Sequence, residues 1–94
     1  MAIKIEVRVF ATLREIMDPR ITVELAEGAT AGDLLDRFAS HYEELAEILF
    51  DDDGKLRPFV NVLRNGRNIH FIDGLATTLA DGDVVAIFPP AGGG

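Results

Sequence analysis

Apolar and polar residues alternate strictly at the start of the chain. Between positions 3 and 10, one side carries Ile3, Ile5, Val7 and Val9, and the other carries Lys4, Glu6, Arg8 and Phe10. A period of two is the pattern of a strand with one buried face. Ile21 to Leu25 alternates in the same way after a turn at Met17-Asp18-Pro19. The sequence therefore predicts that the first two strands form a hairpin.

A helical pattern follows this hairpin. Thr30 stands three residues before Asp33, just ahead of the apolar residues Leu34, Leu35, Phe38, Ala39 and Tyr42. A threonine N-cap with an acidic first turn opens an amphipathic helix, and we expect this helix to cover the sheet. A second, shorter helical stretch runs from Glu43 to Phe50 and ends at the acidic turn Asp51-Asp52-Asp53-Gly54.

Three more strands are predicted in the second half of the chain. Pro58 to Leu63 begins with a proline, which favours a place toward an edge of the sheet. Asn65-Gly66 is a strong hairpin signal, so Arg67 to Ile72 is expected to return antiparallel. Val84 to Phe88 follows the turn Asp81-Gly82-Asp83 and forms the last strand.

The order of these elements predicts an α+β fold. Strands at both ends of the chain with one main helix between them favour a mixed sheet, with the first and last strands side by side in its centre and the helix across one face. This is the β-grasp arrangement. A ferredoxin-like fold would need a second long helix between the later strands, and Gly74 to Asp81 is too short for one.

Composition narrows the classes of function. A chain of 94 residues with 48% hydrophobic side chains predicts one small domain, which we place at residues 1–90, followed by a flexible tail at 91–94. The net charge of −7 argues against a nucleic-acid binder and favours partners with basic surfaces. The lack of cysteine excludes a thiolate zinc site and a cysteine nucleophile. No stretch is apolar enough for a membrane span or a signal peptide, so the expected location is the cytoplasm.

The usual catalytic constellations are weak. Ser40 and His41 are adjacent on a helix and point to different sides, so they do not form a nucleophile and base. His41 and His70 lack a second metal ligand at suitable spacing, and no metal site is predicted. The acidic run at 51–54 lacks the alternating ligands and closing glutamate of a calcium loop.

The C-terminus is the exception. Phe88-Pro89-Pro90 forms a stiff stem, because each proline fixes φ and favours an extended chain. Ala91, Gly92, Gly93 and Gly94 carry almost no side chain and, when extended, span about 13 Å. Such a tail fits a narrow channel that would reject a Cβ. The reactive group that it delivers is the carboxylate of Gly94.

Three segments carry a resemblance to a known family. They are Phe10-Ala11-Thr12-Leu13-Arg14-Glu15 after the first strand, Leu79-Ala80-Asp81-Gly82-Asp83-Val84-Val85 before the last, and Phe88-Pro89-Pro90 followed by the terminal glycines. Together they resemble the MoaD and ThiS superfamily of ubiquitin-like sulfur carriers over essentially the whole chain, and most of all the small subunits of molybdopterin synthase. This chain ends in one glycine more than the usual pair.

The resemblance implies a chemistry for Gly94. An activating enzyme of the MoeB or ThiF type joins the carboxylate to AMP, using ATP and magnesium, and a persulfide from another protein converts the adenylate into a thiocarboxylate. A large subunit of the MoaE type then takes the sulfur for molybdopterin. The carrier itself binds no cofactor, and its nucleophiles and metals belong to its partners.

Two other functions remain open. The sulfur can go to thiamin, a tRNA base or cysteine, or a lysine amine can capture the activated Gly94, as in a ubiquitin-like protein modifier. A β-grasp binding module with an idle tail is a third reading.

Alternation also predicts where partners dock. If the first and last strands are parallel neighbours, Phe10 and Phe88 end side by side on the face away from the helix, where the tail leaves. Two aromatic rings there favour a docking surface, extended by Pro89 and Pro90. Ile69 or Phe71 of the neighbouring hairpin also extends it. The alternative is that a loop such as Leu13 to Ile16 covers both rings.

Overall fold

The computed structural model describes residues 1–89, which form a five-stranded sheet with helices on one face. The strands are β1 (Ala2–Val9), β2 (Arg20–Ala26), β3 (Asn61–Arg64), β4 (Arg67–Asn68) and β5 (Val84–Phe88). The helices are α1 (Ala31–His41) and α2 (Glu43–Leu49), with short 3-10 helices at Ala11–Glu15, Ile69–Phe71 and Gly74–Ala76.

The strand order confirms the β-grasp fold. The sheet runs β2-β1-β5-β3-β4, so the first and last strands are neighbours at its centre. They pair in parallel, with Val7 opposite Val85 and Val9 opposite Ile87. The other pairs are antiparallel. β5 therefore ends beside the residue that follows β1.

The core lies between the sheet and the helices. Alternate residues of β1 and β5 point into it, and Leu34, Leu35 and Phe38 of α1 pack from the other side. The predicted cap of α1 is present, because the Asp33 N–H donates to Thr30 Oγ1 at 3.2 Å and the Thr30 N–H donates to Asp33 Oδ2 at 2.9 Å. These reciprocal bonds fix where α1 starts and how it crosses the sheet.

Two predicted strands are wrong in their bounds. Instead of running from Pro58, β3 begins at Asn61, and Pro58 and Phe59 lie exposed in a turn before it. The return strand predicted over Arg67 to Ile72 ends after Asn68, because the chain tightens into a 3-10 helix that turns Ile69 into the core. In the described part of the chain, β3 consequently has a long neighbour only on its β5 side.

None of the helices within residues 1–89 has the length and apolar character of a membrane span.

Candidate functional site at the end of β5

Two aromatic rings meet where β5 ends. The rings of Phe10 and Phe88 lie parallel, with centroids 4.4 Å apart and planes 7° from each other. Parallel pairing of β1 and β5 produces this contact, and the Phe10 N–H continues it by donating to the Ile87 carbonyl at 3.2 Å. Both rings are half-buried. The prediction that they lie side by side on the face away from the helices is confirmed, and each keeps accessible surface.

Arg14 adds a third layer to the stack. Its guanidinium lies 5.0 Å from the centre of the Phe10 ring, and its Nε donates to the Val9 carbonyl at 3.0 Å. The 3-10 helix Ala11–Glu15 brings it there, after Ala11 adopts a positive φ of 53°. Residues other than glycine rarely adopt this backbone conformation, because Cβ then lies too close to the following carbonyl oxygen. The loop therefore supplies one exposed cation while Leu13 is buried in the core.

A shallow groove continues from the two stacked rings toward β3. It is lined by Ala11, Pro58, Phe59, Asn61, Leu63, Phe88 and Pro89. Phe59 is 66% exposed, a large apolar side chain that sequence reasoning did not assign to the site. Alternation over the predicted strand from Pro58 would have placed Phe59 on the same face as Asn61 and Leu63. In the structure Phe59 lies in the turn before β3, and it lines the same groove as Phe88. We name Phe10, Phe59, Leu63 and Phe88 the aromatic surface.

The remaining predicted site residues divide into four groups. Ile69 is wrong as a surface residue, because only 1% of it is exposed and its side chain fills the core. Phe71 is 71% exposed, but it lines a neighbouring groove that shares Pro58 and Asn61 with the first. Pro89 borders the aromatic surface and is itself buried. Pro90, Gly92, Gly93 and Gly94 lie outside the described residues.

A buried carboxylate holds the start of β5 in place. Asp83 Oδ2 accepts from Arg64 Nε at 2.6 Å and from the Ala80 N–H at 2.8 Å, and its Oδ1 accepts from Asn65 Nδ2 at 2.9 Å. Burial alone would raise the pKa of Asp83, but these hydrogen bonds outweigh it and hold the pKa below its usual range. The Asp83 carboxylate thus fastens β5 to the β3–β4 turn. Sequence analysis assigned Asn65 and Asp83 to turns and included Asp83 in a segment that carries the family resemblance, but it did not predict these hydrogen bonds.

β1 places positive charge beside the aromatic surface. Arg8 lies opposite Ala86 in the register, two residues before Phe10 on the same face. Its Nε donates to Glu6 Oε2 at 2.6 Å, and this bond, against a smaller effect of burial, lowers the pKa of Glu6. With Arg14 over Phe10, this margin of the aromatic surface carries arginines although the chain has a net charge of −7.

Other candidate groups do not form a chemical site. Within residues 1–89, no cluster of three histidine, aspartate or glutamate side chains is placed to hold a metal ion. Asp51 Oδ1 instead accepts from the backbone N–H groups of Asp53 and Lys55, at 2.9 and 3.0 Å, so this carboxylate closes its own turn.

Comparison with known proteins gives a consistent result. The model of the ThiS family matches residues 7–94. Small archaeal modifier protein 3 of Haloferax volcanii is 45% identical over 92 residues, covering 97% of this chain and 99% of that protein. The molybdopterin synthase sulfur carrier subunit of Mycobacterium tuberculosis is 35% identical over 94 residues, covering 98% and 99% of the two proteins.

A solved complex adds a structural relative. One chain of the BexX/CysO complex of Amycolatopsis orientalis matches 96% of this chain and 99% of its own length, with 30% identity and a TM-score of 0.74. Sulfur carriers of this kind work with partner proteins. The aromatic surface is an exposed apolar area suited to such contacts.

Proposed function

Because this chain belongs to the ThiS family of ubiquitin-like sulfur carriers, we propose that it carries sulfur as a thiocarboxylate on Gly94. The observation that supports this most is the stack of Phe10 on Phe88, an accessible apolar surface at the root of a glycine tail. A carrier must offer its C-terminus to successive enzymes, and a contact surface at the base of the tail lets each enzyme hold the body while the tail enters its active site.

The chemistry requires activation by a partner. A carboxylate is a poor electrophile, so the activating enzyme of the MoeB or ThiF type uses ATP and magnesium to form the acyl-adenylate of Gly94 and pyrophosphate. A persulfide sulfur then attacks the carbonyl and displaces AMP, leaving an acyl disulfide. A second thiol then attacks the donor protein's own cysteine sulfur and forms a disulfide with it, and the transferred sulfur leaves with Gly94 as the thiocarboxylate.

The residues of this chain position the tail. Phe88 is held by the Phe10 ring, and the Asp83 carboxylate fastens the other end of β5. The point from which residues 90–94 depart is therefore fixed relative to the docking surface. Rigid placement matters because an error of about 1 Å near a reacting centre can lower the rate about 100-fold.

We assign the sulfur to molybdopterin as the first candidate product. The support is the full-length similarity to the molybdopterin synthase sulfur carrier subunit of Mycobacterium tuberculosis. In this assignment the acceptor is a large subunit of the MoaE type. Transfer to thiamin, a tRNA base or cysteine uses the same tail chemistry with another acceptor.

Protein modification is the second candidate function. It is favoured by the 45% identity to small archaeal modifier protein 3. A lysine amine on a target would attack the Gly94 adenylate and displace AMP, forming an isopeptide bond. The two functions share activation and differ only in the nucleophile.

The decisive experiment combines the purified chain with a MoeB-type enzyme, ATP, magnesium and a persulfide donor. We expect intact-mass analysis to show exchange of one oxygen for sulfur at Gly94. Gly93→Val should lose this product, because a channel for an extended glycine chain has no room for a branched side chain. Addition of one bulky residue after Gly94 should also abolish it. Full conversion of either variant would contradict the proposal.

The acceptor is then identified separately. Addition of a MoaE-type subunit and the pterin precursor should consume the thiocarboxylate if molybdopterin is the product. Glycine remnants on lysines of cellular proteins, absent when one bulky residue is added after Gly94, would support the modifier function.

A further inference from the structure

β2 is a long strand at one edge of the sheet. It has seven residues and, within residues 1–89, only β1 as a neighbour, whereas β4 at the opposite edge has two residues. An outer strand of this length presents a row of backbone donors and acceptors that another strand can pair with. Natural sheets usually shorten or cover such an edge.

The hydrogen bonds to β1 reveal which groups of β2 face outward. The Val9 N–H donates to Pro19 O at 3.0 Å, and the Glu27 N–H donates to Met1 O at 2.9 Å, so the odd-numbered residues of this strand point their backbone groups toward β1. The N–H and C=O groups of Arg20, Thr22 and Glu24 consequently face away from the sheet.

The side chains of these three residues are complementary to those of a second, antiparallel copy of β2. When β2 is paired antiparallel with a second β2 about a two-fold axis at Thr22, Arg20 of each copy lies opposite Glu24 of the other. All these side chains project on the open face of the sheet, because Ile21 and Val23 alternate toward the helices. We propose that two copies of this chain associate through β2 in this register, forming a continuous ten-stranded sheet. This interface lies outside the aromatic surface.

The other face of the sheet supports the same register. Ile21 and Val23 are half-buried and border a small groove with Phe38 and Tyr42. In the pairing centred on Thr22, Ile21 lies opposite Val23 of the second copy, and the grooves of both copies adjoin. Moving the centre to Ile21 or Val23 places Arg20 opposite Thr22 or Ala26 and separates the charges.

Two contacts compete with the pairing. Arg20 Nε lies 3.5 Å from Glu6 Oε2 of its own chain, so Arg20 has to turn from Glu6 toward Glu24 of the second copy. Arg37 of α1 donates from its Nη1 to the Glu24 carbonyl, one of the outward-facing groups. In the dimer this carbonyl accepts from the Arg20 N–H of the second copy, so the Arg37 side chain must move away. Arg37 therefore competes with dimer formation, and its removal should favour the dimer.

Two measurements test the association on the full chain. Sedimentation analysis over rising protein concentration should show a shift from 10.2 kDa toward twice that mass. Amide hydrogen exchange should slow at Thr22 and Glu24 as concentration rises, while Ile21 and Val23 change little because their N–H groups already bond to β1. A 10.2 kDa species with unchanged exchange throughout would overturn the proposal.

Charge-exchange variants test the register. Arg20→Glu or Glu24→Arg alone places like charges opposite each other twice per dimer and should weaken association about tenfold. The double variant Arg20→Glu with Glu24→Arg should restore it. A double variant as weak as the single ones would overturn the pairing of Arg20 with Glu24.

Backbone variants provide the matched control. Thr22→Pro removes an outward N–H at the two-fold axis and should abolish the dimer, whereas Thr22→Val keeps the N–H and the branched shape and should retain it. Arg37→Gln should strengthen the dimer. Circular dichroism establishes that each variant is folded, and equal association of the folded Thr22→Pro and Thr22→Val proteins would contradict the proposal.

Discussion

The two faces of the central strands β1 and β5 differ in their exposure to solvent. Toward the helices, Ile5, Val7 and Val85 are 0% exposed. On the other face, Phe10 and Phe88 stack on each other but remain accessible. The same strands therefore supply both the core and the aromatic surface that we propose for docking. Where helices pack on one face of a sheet, alternation along a strand assigns one set of side chains to the core. The other set is left free for contacts with a partner.

Removal of a core side chain should cause the largest change, a loss in the free energy of unfolding. Ile5→Ala deletes buried carbons that α1 cannot move to replace, so we expect a loss of about 3 kcal/mol in the free energy of unfolding. Urea denaturation measures this, and Lys4→Ala on the open face should change the value by less than about 0.5 kcal/mol. Equal losses in the two variants would break the comparison.

The Asp83 carboxylate is buried despite its charge, and it contributes to stability as the core residues do. Asp83→Asn should lose about 2 kcal/mol at pH 7, since the Arg64 guanidinium loses its charged acceptor. The folded pKa is lowered, so the stabilisation is complete above the ordinary pKa of 3.8 and disappears as the pH falls through the folded value.

Denaturation from pH 7 to pH 2 measures this dependence. The stability of Asp83→Asn should fall less steeply than that of wild type below about pH 4, where protonation removes the difference. Asp52→Asn, in an exposed turn, serves as the matched control and should follow wild type. A constant difference between Asp83→Asn and wild type over this range would contradict the assignment.

Phe88→Ala tests whether the open face of the sheet contributes more to binding than to stability. We expect binding to the activating enzyme or acceptor to weaken by about 2 kcal/mol, because an aromatic anchor is lost. The free energy of unfolding should fall by less, about 1 kcal/mol, since Phe88 keeps part of its surface in solvent. Calorimetric titration and urea denaturation give the two numbers. Unchanged affinity would show that the aromatic surface is not the docking surface.

Ala11→Gly should give the smallest change and the opposite sign. Glycine adopts the positive φ of 53° without strain, so the free energy of unfolding should rise by about 0.5 kcal/mol. The Arg14 guanidinium should stay over Phe10. A destabilised variant would mean that the Ala11 methyl group contributes more by contact than its backbone conformation costs.

Alternation made much of the fold predictable, because it depends on residues close together in the chain. It placed β1 and β5 and, with their parallel pairing, the Phe10–Phe88 contact. Alternation did not predict the 3-10 helix at Ile69, because a segment of three residues is too short to show a change of period. The Asp83 hydrogen bonds reach residues 18 and 19 positions away, and only the folded sheet brings those groups together.

The parallel pair at the centre of the sheet also sets the order in which the molecule can fold. Glu6 is the register partner of Val84, so closing this contact encloses nearly the whole chain and has a large entropic cost. The β1–β2 hairpin and α1 can form earlier from local contacts. Until β5 inserts between β1 and β3, both strands keep an open inner edge. Docking of β5 is thus expected to limit the rate of refolding, and the exposed edges make that stage the one most prone to aggregation.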